Sequence, residues 1–513
     1  MSRAMILDFF ASRSAHPLDD PAELRRVIAA LPPDNPFKAV DEVFGWLESL
    51  QQADDVRVDR RFEAVRALDD AAQPHLRRLA RDYLQSSRLS KNDERRLWSA
   101  NHAYWEAAGS LYARCLRIAA ADARSSGAEA FRNSATLASA RLVAARGMQA
   151  KWFQFRYAAV PAAVWRELGG TYLAAEAAGV AQKPVQLYPQ EPATTTVSAL
   201  YLQSLALYSS SADSLSPLEI ELADRLLGRF LAGFDFSPTP RADSVYWVDA
   251  GNGGAPMRLA RDPQALMPTL RFFSGGASAP TIEALISQVE RGDLPADLKL
   301  GAQFPPRVLL PVLQHLALYW APKPPMREHP RHAVRTRVAV LNGFDNGFSI
   351  FAGELARLGR ENEAESWVIE NVSLGGFGAV VDAARGEWLK VGALLALQPA
   401  GGDNWLLGVV GRCARDASER PLVGIRTLAR YPLSVQLRPR ASGLAAINGI
   451  PGIWLREGGN EDEARFLLPP ATFNLRETLE FFSNGGRWLL SPVELEESGE
   501  DFELARYRLR YDA

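Results

Sequence analysis

The stretch Trp367-Val-Ile-Glu-Asn371-Val-Ser373-Leu-Gly-Gly376-Phe-Gly-Ala-Val-Val381 places a polar, glycine-containing centre between two apolar runs. Runs rich in β-branched residues on either side of a short polar segment predict two strands joined by a turn. The glycines allow backbone N–H groups to approach a ligand closely, and Asn371 and Ser373 add short polar side chains. The turn is therefore a candidate binding segment.

Three arginines, Arg327, Arg331 and Arg335, lie upstream of this turn, at the start of another predicted strand. A guanidinium group is a planar fork of donors that matches phosphate oxygens or the O6/N7 edge of guanine, and its flat face stacks on a base. Together with the turn, the cluster predicts an anion-binding site suited to a guanine nucleotide.

The pairing of RxxxR with [D/N]xSxxG resembles the PilZ domain, the bacterial receptor module for cyclic di-GMP. Apolar runs at 388–397, 405–412 and 421–425 follow in the succession that barrel strands show in that family. The resemblance covers about residues 325–432. It implies an antiparallel β-barrel that binds cyclic di-GMP as its ligand, with no other cofactor.

Two registers fit the arginine motif: Arg327-Glu-His-Pro-Arg331 and Arg331-His-Ala-Val-Arg335. We favour the first, because it places the His-Pro-Arg triplet and the strand after it as family members have them. The resemblance then implies that Arg327 and Arg331 clamp phosphates and guanines, and that Arg335 assists.

The remaining site residues also follow from the resemblance. Asn371 and Ser373 are expected to hydrogen-bond the nucleotide, and Gly376 is expected to hold the turn open. A further contact from His329, His332 or Arg412 stays an open alternative.

One departure from the family concerns spacing. Roughly forty residues separate the two motifs, including a helix-like segment at 351–360, whereas family members usually have about half that number. Insertions in surface loops cost little entropy, so an insertion in one barrel connection is compatible with the fold.

Composition limits the class of protein. At 513 residues, the chain is expected to form about two to four domains. A net charge of −2 argues against a global attraction to DNA, RNA or anionic membranes. Cys115 and Cys413 lie far apart and the six histidines form no recognizable metal-binding pattern, which predicts no disulfide framework and no metal site. No apolar run is long enough to span a membrane, and the N-terminus does not resemble a secretory signal, so we expect a cytoplasmic protein.

Periodicity divides the chain into four predicted parts. Residues 1–235 are expected to form a helical interaction region, 236–322 a mixed α/β connecting region, 323–435 the PilZ-like barrel, and 436–513 a β-rich extension with a helical segment at 475–482. The fold class is thus multidomain, α-helical first and β-rich later.

One fragment of the helical region, Trp165-Arg-Glu-Leu-Gly169-Gly-Thr-Tyr172, fits the opening pattern of a tetratricopeptide repeat. No second copy is found at the repeat spacing. An ordinary packed helix and a divergent repeat scaffold both remain open.

Enzyme signatures such as a Walker motif, a nucleophile elbow or a zinc-protease helix are absent from the sequence. The leading hypothesis is a non-enzymatic cyclic di-GMP receptor that relays the signal to an unidentified protein partner through its helical region. The alternative is a structural or adaptor protein whose PilZ-like barrel does not bind nucleotide.

Overall fold

The computed structural model describes residues 16–85, 89–121, 126–260, 267–295, 298, 300, 304–325, 329–354, 364–381, 388–416, 418, 420–440, 449–457, 462–483 and 485–512. Within these residues the chain divides into two units. The helical unit comprises the described residues of Met1–Arg156, Val160–Ala212 and Pro217–Pro325, and the barrel unit comprises those of Tyr157–Ala159, Asp213–Ser216 and Met326–Ala513.

The helices of the helical unit are α1 Pro21–Ala30, α2 Pro36–Gln52, α3 Val58–Gln85, α4 Lys91–Ala121, α5 Ala128–Arg132, α6 Ala135–Phe155, α7 Ala162–Ala177, α8 Val197–Ser209, α9 Pro217–Phe230, α10 Ser278–Glu290 and α11 Pro306–Trp320. The first begins with a capped N-terminus: the side chain of Asp20 accepts a hydrogen bond from the N–H of Ala22 at 2.8 Å, and Pro21 occupies the first turn. No helix among the described residues is both long and apolar enough to cross a membrane.

A buried polar network joins three helices of this unit. Each carboxylate oxygen of Asp69 on α3 accepts a hydrogen bond of 2.8 Å from a tyrosine on α4, Oδ1 from Tyr104 and Oδ2 from Tyr112. Arg141 on α6 donates to Asp69 at 2.7 Å and to Asp70 at 2.6 Å. Because Asp69 and Arg141 are almost completely buried, these partners replace the water that both charges lose on folding.

Short strands complete the helical unit: β1 Val185–Gln186 pairs with β2 Thr194–Thr195, and β3 Asp235–Ser237, β4 Tyr246–Asp249, β5 Met257–Arg258 and β6 Leu270–Ser274 form a four-stranded sheet. The predicted repeat-like fragment lies on α7. A Cβ atom at Gly169 would come within 2.1 Å of the carbonyl oxygen of Ala250, directly after β4. The absence of a side chain at Gly169 therefore allows the backbone that follows β4 to approach α7. In a tetratricopeptide repeat, a neighbouring helix would make this approach.

The barrel unit contains two closed antiparallel barrels of six strands each. The first consists of β7 His332–Asn342, β8 Glu365–Ser373, β9 Gly376–Val380, β10 Leu394–Pro399, β11 Leu406–Arg415 and β12 Pro421–Ala429, with α12 Phe344–Phe351 between β7 and β8. It closes where β10 pairs with β7. Its core contains Trp367, Ile369, Val410 and Ile425. The predicted multidomain fold, helical first and β-rich later, is confirmed.

The second barrel accounts for the predicted β-rich extension. Its strands are β13 Pro432–Pro439, β14 Ile450–Leu455, β15 Glu463–Leu468, β16 Leu479–Ser483, β17 Gly486–Ser498 and β18 Glu503–Asp512. The barrels share an apolar cluster to which the first contributes Leu394, Leu407 and Val409 and the second contributes Ile453 and Phe502.

One local helix prediction is wrong. Residues 479–483 form strand β16, where buried Leu479 and Phe481 alternate with less buried neighbours, and such alternation is typical of a strand with one face in a core. In the long connection between β7 and β8, the helix ends at Phe351, where the predicted one begins, and residues 355–360 of that prediction lie outside the described residues.

Candidate ligand-binding site

The predicted binding turn is a tight hairpin between β8 and β9 of the first barrel. Asn371 lies opposite Gly378, and Ser373 lies opposite Gly376. The hydroxyl of Ser373 donates a hydrogen bond of 3.3 Å to the carbonyl oxygen of Gly376 and so closes the turn. Leu374 and Gly375 at the tip are exposed. The two strands of the sequence motif are thus confirmed.

Gly376 permits a close approach between β9 and β12. A Cβ atom at this position would lie 1.9 Å from the carbonyl oxygen of Ile425, and the backbone φ angle is +158°, which residues with a side chain rarely adopt. The N–H of Thr427 donates to the carbonyl oxygen of Gly375 at 3.1 Å, which ties the tip of the hairpin to β12. Steric exclusion thus accounts for glycine at this position.

The side-chain amide of Asn371 lies against the backbone of Gly378. A Cβ atom at Gly378 would come within 2.5 Å of Nδ2 and 2.6 Å of Oδ1 of that amide. The Oδ1 atom is buried and accepts no hydrogen bond from any part of the chain that the structure describes. A buried acceptor without a donor is costly, so a hydrogen-bond donor brought to this oxygen would be stabilising.

The described arginines of the predicted cluster lie directly before and within the neighbouring strand β7. β7 pairs with β8 so that His332 lies opposite Val372 and Ala333 opposite Asn371, with a bulge before Thr336. Arg331 directly precedes this strand and is exposed, as is Arg335 within the bulge. The strand pairing therefore brings both halves of the motif to the same end of the barrel.

Arg335 makes no hydrogen bond or ion pair with the described part of the chain. Its guanidinium group is therefore available to an anion. Arg327 lies outside the described residues, so the geometry of the first register is seen only through Arg331.

Of the two candidate histidines, His329 lies beside the hairpin tip: its Cδ2 atom is 3.8 Å from the position of a Cβ on Gly375. Both histidines are exposed. Arg412, the third open candidate, lies on β11 and forms an ion pair of 3.0 Å with Asp213 of the same unit. Arg412 is therefore already engaged.

A further arginine near the turn is one that the sequence motif does not include. Arg426 on β12 lies opposite Gly376, and its guanidinium group binds Glu497 of the second barrel at 2.6 Å. About half of the Arg426 side chain is exposed. This ion pair connects β12, the strand beside the candidate turn, to the second barrel. The position of Arg426 near the turn follows from the pairing of β9 with β12 and could not be read from the sequence motif.

The described groups of this arrangement are exposed guanidinium groups, an amide and a glycine turn, which are groups that can bind an anion. In the barrel core, burial raises the pKa of the Cys413 thiol to about 12, which disfavours the reactive thiolate form. Within the described residues, no group of three or more histidine, cysteine, aspartate or glutamate side chains is placed to hold a metal ion.

Comparison with known families gives a match over the helical part of the chain. Residues 22–241 match the family model described as cyclic-di-GMP receptor FimW, N-terminal domain. The matched residues extend from α1 to just beyond β3, less than half of the chain, and none of them belongs to the six strands of the first barrel. A comparison with curated proteins finds no match. The helical part of the chain is therefore similar to a domain of a cyclic di-GMP receptor.

Proposed function

We propose that this protein is a cyclic di-GMP receptor whose first barrel is a PilZ-like domain that binds the dinucleotide. The observation that carries the proposal is the match of residues 22–241 to a cyclic-di-GMP receptor domain. The arginine cluster and the NxSxxG turn support the same ligand, and they lie outside the matched residues. Two separate parts of the chain thus favour one small molecule.

In this proposal, Arg331 engages phosphate oxygens or a guanine edge together with Arg327, and the unpaired Arg335 adds a third guanidinium group. The acceptor Oδ1 of Asn371 receives a hydrogen bond from the ligand, since no described residue donates one. Ser373 and Gly376 hold the shape of the turn. The hydroxyl of Ser373 closes it with a hydrogen bond, and Gly376 allows the close approach to β12.

Calorimetry with cyclic di-GMP tests the binding site. We expect micromolar or tighter binding by the full chain, about −8 kcal/mol or more favourable. Arg331→Ala should weaken it roughly 5- to 150-fold, by analogy with bidentate arginine–guanine contacts of about 1–3 kcal/mol. Arg327→Ala should have a similar effect, and Arg335→Ala a smaller one.

Arg420→Ala is the matched control, because Arg420 is exposed, precedes β12 at the end away from Gly376, and pairs with Asp416 at 2.8 Å. The affinity of the Arg420→Ala variant for cyclic di-GMP should equal that of the unchanged protein. A loss of affinity in Arg335→Ala with no loss in Arg327→Ala would favour the second register. No heat of binding in folded, nucleotide-free protein would reject the receptor proposal and leave the adaptor function.

The proposal extends to a non-catalytic, cytoplasmic protein. It is supported by two unpaired, buried cysteines, Cys115 and Cys413, which fit a reducing compartment. The net charge of −2 favours no nucleic acid partner beyond the dinucleotide. The four-part division into 1–235, 236–322, 323–435 and 436–513 is kept as the proposed domain organisation.

We also propose that the helical unit passes the signal to a protein partner. A ligand can regulate such a partner only if it stabilises one state of the protein over another. Hydrogen exchange with and without cyclic di-GMP should show new protection at 321–335 and 371–378, together with altered exchange on a surface of residues 22–241. Protection restricted to the barrel residues would contradict the relay while leaving the binding site intact.

A further inference from the structure

The helical unit contains a cavity of about 460 Å³, enclosed mainly by α3, α4, α6, α8 and α9. This volume lies in the range of roughly 300–1,000 Å³ that is typical of small-molecule sites. The cavity is far in sequence from the motif of the first barrel, and nothing in the proposed function uses it.

Three of the residues that line the cavity carry buried polar atoms without a hydrogen-bond partner among the described residues: Oδ1 of Asn101 and the indole Nε1 atoms of Trp105 and Trp152. The residues are 1%, 4% and 0% exposed, respectively. The amide nitrogen of Asn101 already donates to the carbonyl oxygen of Leu97 at 2.9 Å, so its oxygen alone is left over. Two donors and one acceptor thus lack partners in this wall.

Apolar side chains form much of the remaining lining, among them Leu76, Leu84, Leu200 and Phe304. Several are only half-buried although they lie between helices, as are Leu84 and Leu200. A ligand with an apolar, ring-containing body would remove this surface from water, while heteroatoms on the ring could meet the indole N–H groups.

The charged side chain in the interior of the cavity, Lys151, already has ion-pair partners. The buried ammonium group of Lys151 binds Glu221 at 2.9 Å and Asp224 at 2.6 Å. Burial alone would lower the pKa of Lys151, but the two carboxylates outweigh it and raise the pKa. Lys151 therefore keeps its positive charge, which the two carboxylates balance. It offers no free cation to a ligand.

Three arginines also line the cavity. Arg77 pairs with Glu191 at 3.2 Å and Arg225 pairs with Glu221 at 2.9 Å. Arg81, one turn beyond Arg77 on α3, is exposed and forms no hydrogen bond or ion pair with the described residues. An anionic group on the ligand would thus find its partner at Arg81, at the solvent-exposed side of the cavity.

We propose that this cavity is a second ligand site, specific for a small aromatic anion. The ring enters between the helices and meets Asn101, Trp105 and Trp152, and the acidic group remains at Arg81. The site belongs to the helical unit and does not depend on nucleotide binding by the first barrel.

The fluorescent aromatic sulfonate 8-anilinonaphthalene-1-sulfonate, titrated into the full folded chain, tests the proposal. We expect one saturable site with a dissociation constant in the micromolar range. Arg81→Ala should weaken binding about tenfold, as expected for loss of one charge-assisted hydrogen bond. Arg60→Ala is the matched control, since Arg60 is an exposed arginine of α3 that does not line the cavity, and it should bind normally.

A second variant, Ala144→Phe, fills the cavity from α6 and should abolish the saturable signal. If this variant fails to fold, the comparison of probe binding by Arg81→Ala and Arg60→Ala tests the proposal on its own. Absence of saturable binding, equal binding by Arg81→Ala and Arg60→Ala, or undiminished binding by a folded Ala144→Phe would each overturn the proposal. Saturating cyclic di-GMP should not displace the probe, and displacement would show that the two ligands share one site.

Discussion

Asp69→Asn is expected to lower the free energy of unfolding of the helical unit by about 3–5 kcal/mol, the usual cost of breaking a buried ion pair. Both carboxylate oxygens of Asp69 accept hydrogen bonds, Oδ1 from Tyr104 and Gln73 and Oδ2 from Tyr112 and Arg141. Asparagine keeps one acceptor and turns the other into a donor. It also removes one of the two carboxylates that neutralise the buried Arg141.

Denaturant unfolding followed by helical circular dichroism measures this loss. Asp82→Asn is the matched control, because Asp82 lies on the same helix, is exposed and forms no hydrogen bond or ion pair with the described residues. The control should change stability by less than about 0.5 kcal/mol. If both variants unfolded at the same denaturant concentration, the network would not stabilise the unit as its geometry indicates.

Gly376→Ala is expected to destabilise the first barrel by roughly 2–4 kcal/mol, through backbone strain together with overpacking. The new methyl group would collide with the carbonyl oxygen of Ile425, which is backbone and cannot rotate away as a flexible side chain could. Separating β9 from β12 would also disturb the hairpin that holds Asn371 and Ser373, so the proposed cyclic di-GMP binding should fall with stability.

The neighbouring glycine provides the control for this variant. At Gly375, the nearest heavy atom to an added Cβ is Cδ2 of His329 at 3.8 Å, which is ordinary contact. Gly375→Ala should therefore melt within a few degrees of the unchanged protein in differential scanning calorimetry. A melting temperature of Gly376→Ala as high as that of Gly375→Ala would show that β12 can move away without loss.

The hairpin of the candidate site could be predicted from sequence because its determinants are local: two apolar runs and a turn within fifteen consecutive residues, 367–381. Arg426 could not be placed beside it, since its position depends on the pairing of β12 with β9, strands that are not consecutive in the chain. The Asp69 network was missed for a similar reason. Helical periodicity predicts which face is buried but does not identify Arg141, 72 residues away, as the partner.

The second barrel was predicted only as a β-rich extension, because closure depends on which strands pair, and alternation alone does not determine that. Residues 475–482 show how a local apolar pattern can fail to distinguish a helix from a strand. Phe481 and Phe482 are adjacent and both apolar, so the pattern is compatible with a helix face as well as a strand. The structure buries Phe481 in the core and leaves Phe482 exposed.

The apolar cluster shared by the two barrels has a consequence for genetics. Phe502 and Ile453 of the second barrel are fully buried against Leu407 and Val409 of the first. A random-mutagenesis screen for loss of the proposed ligand binding should therefore recover substitutions at Phe502 or Ile453 as well as at Arg331, although neither Phe502 nor Ile453 lies at the candidate turn. Such alleles would be suppressed by a lower growth temperature, whereas alleles at Arg331 would not.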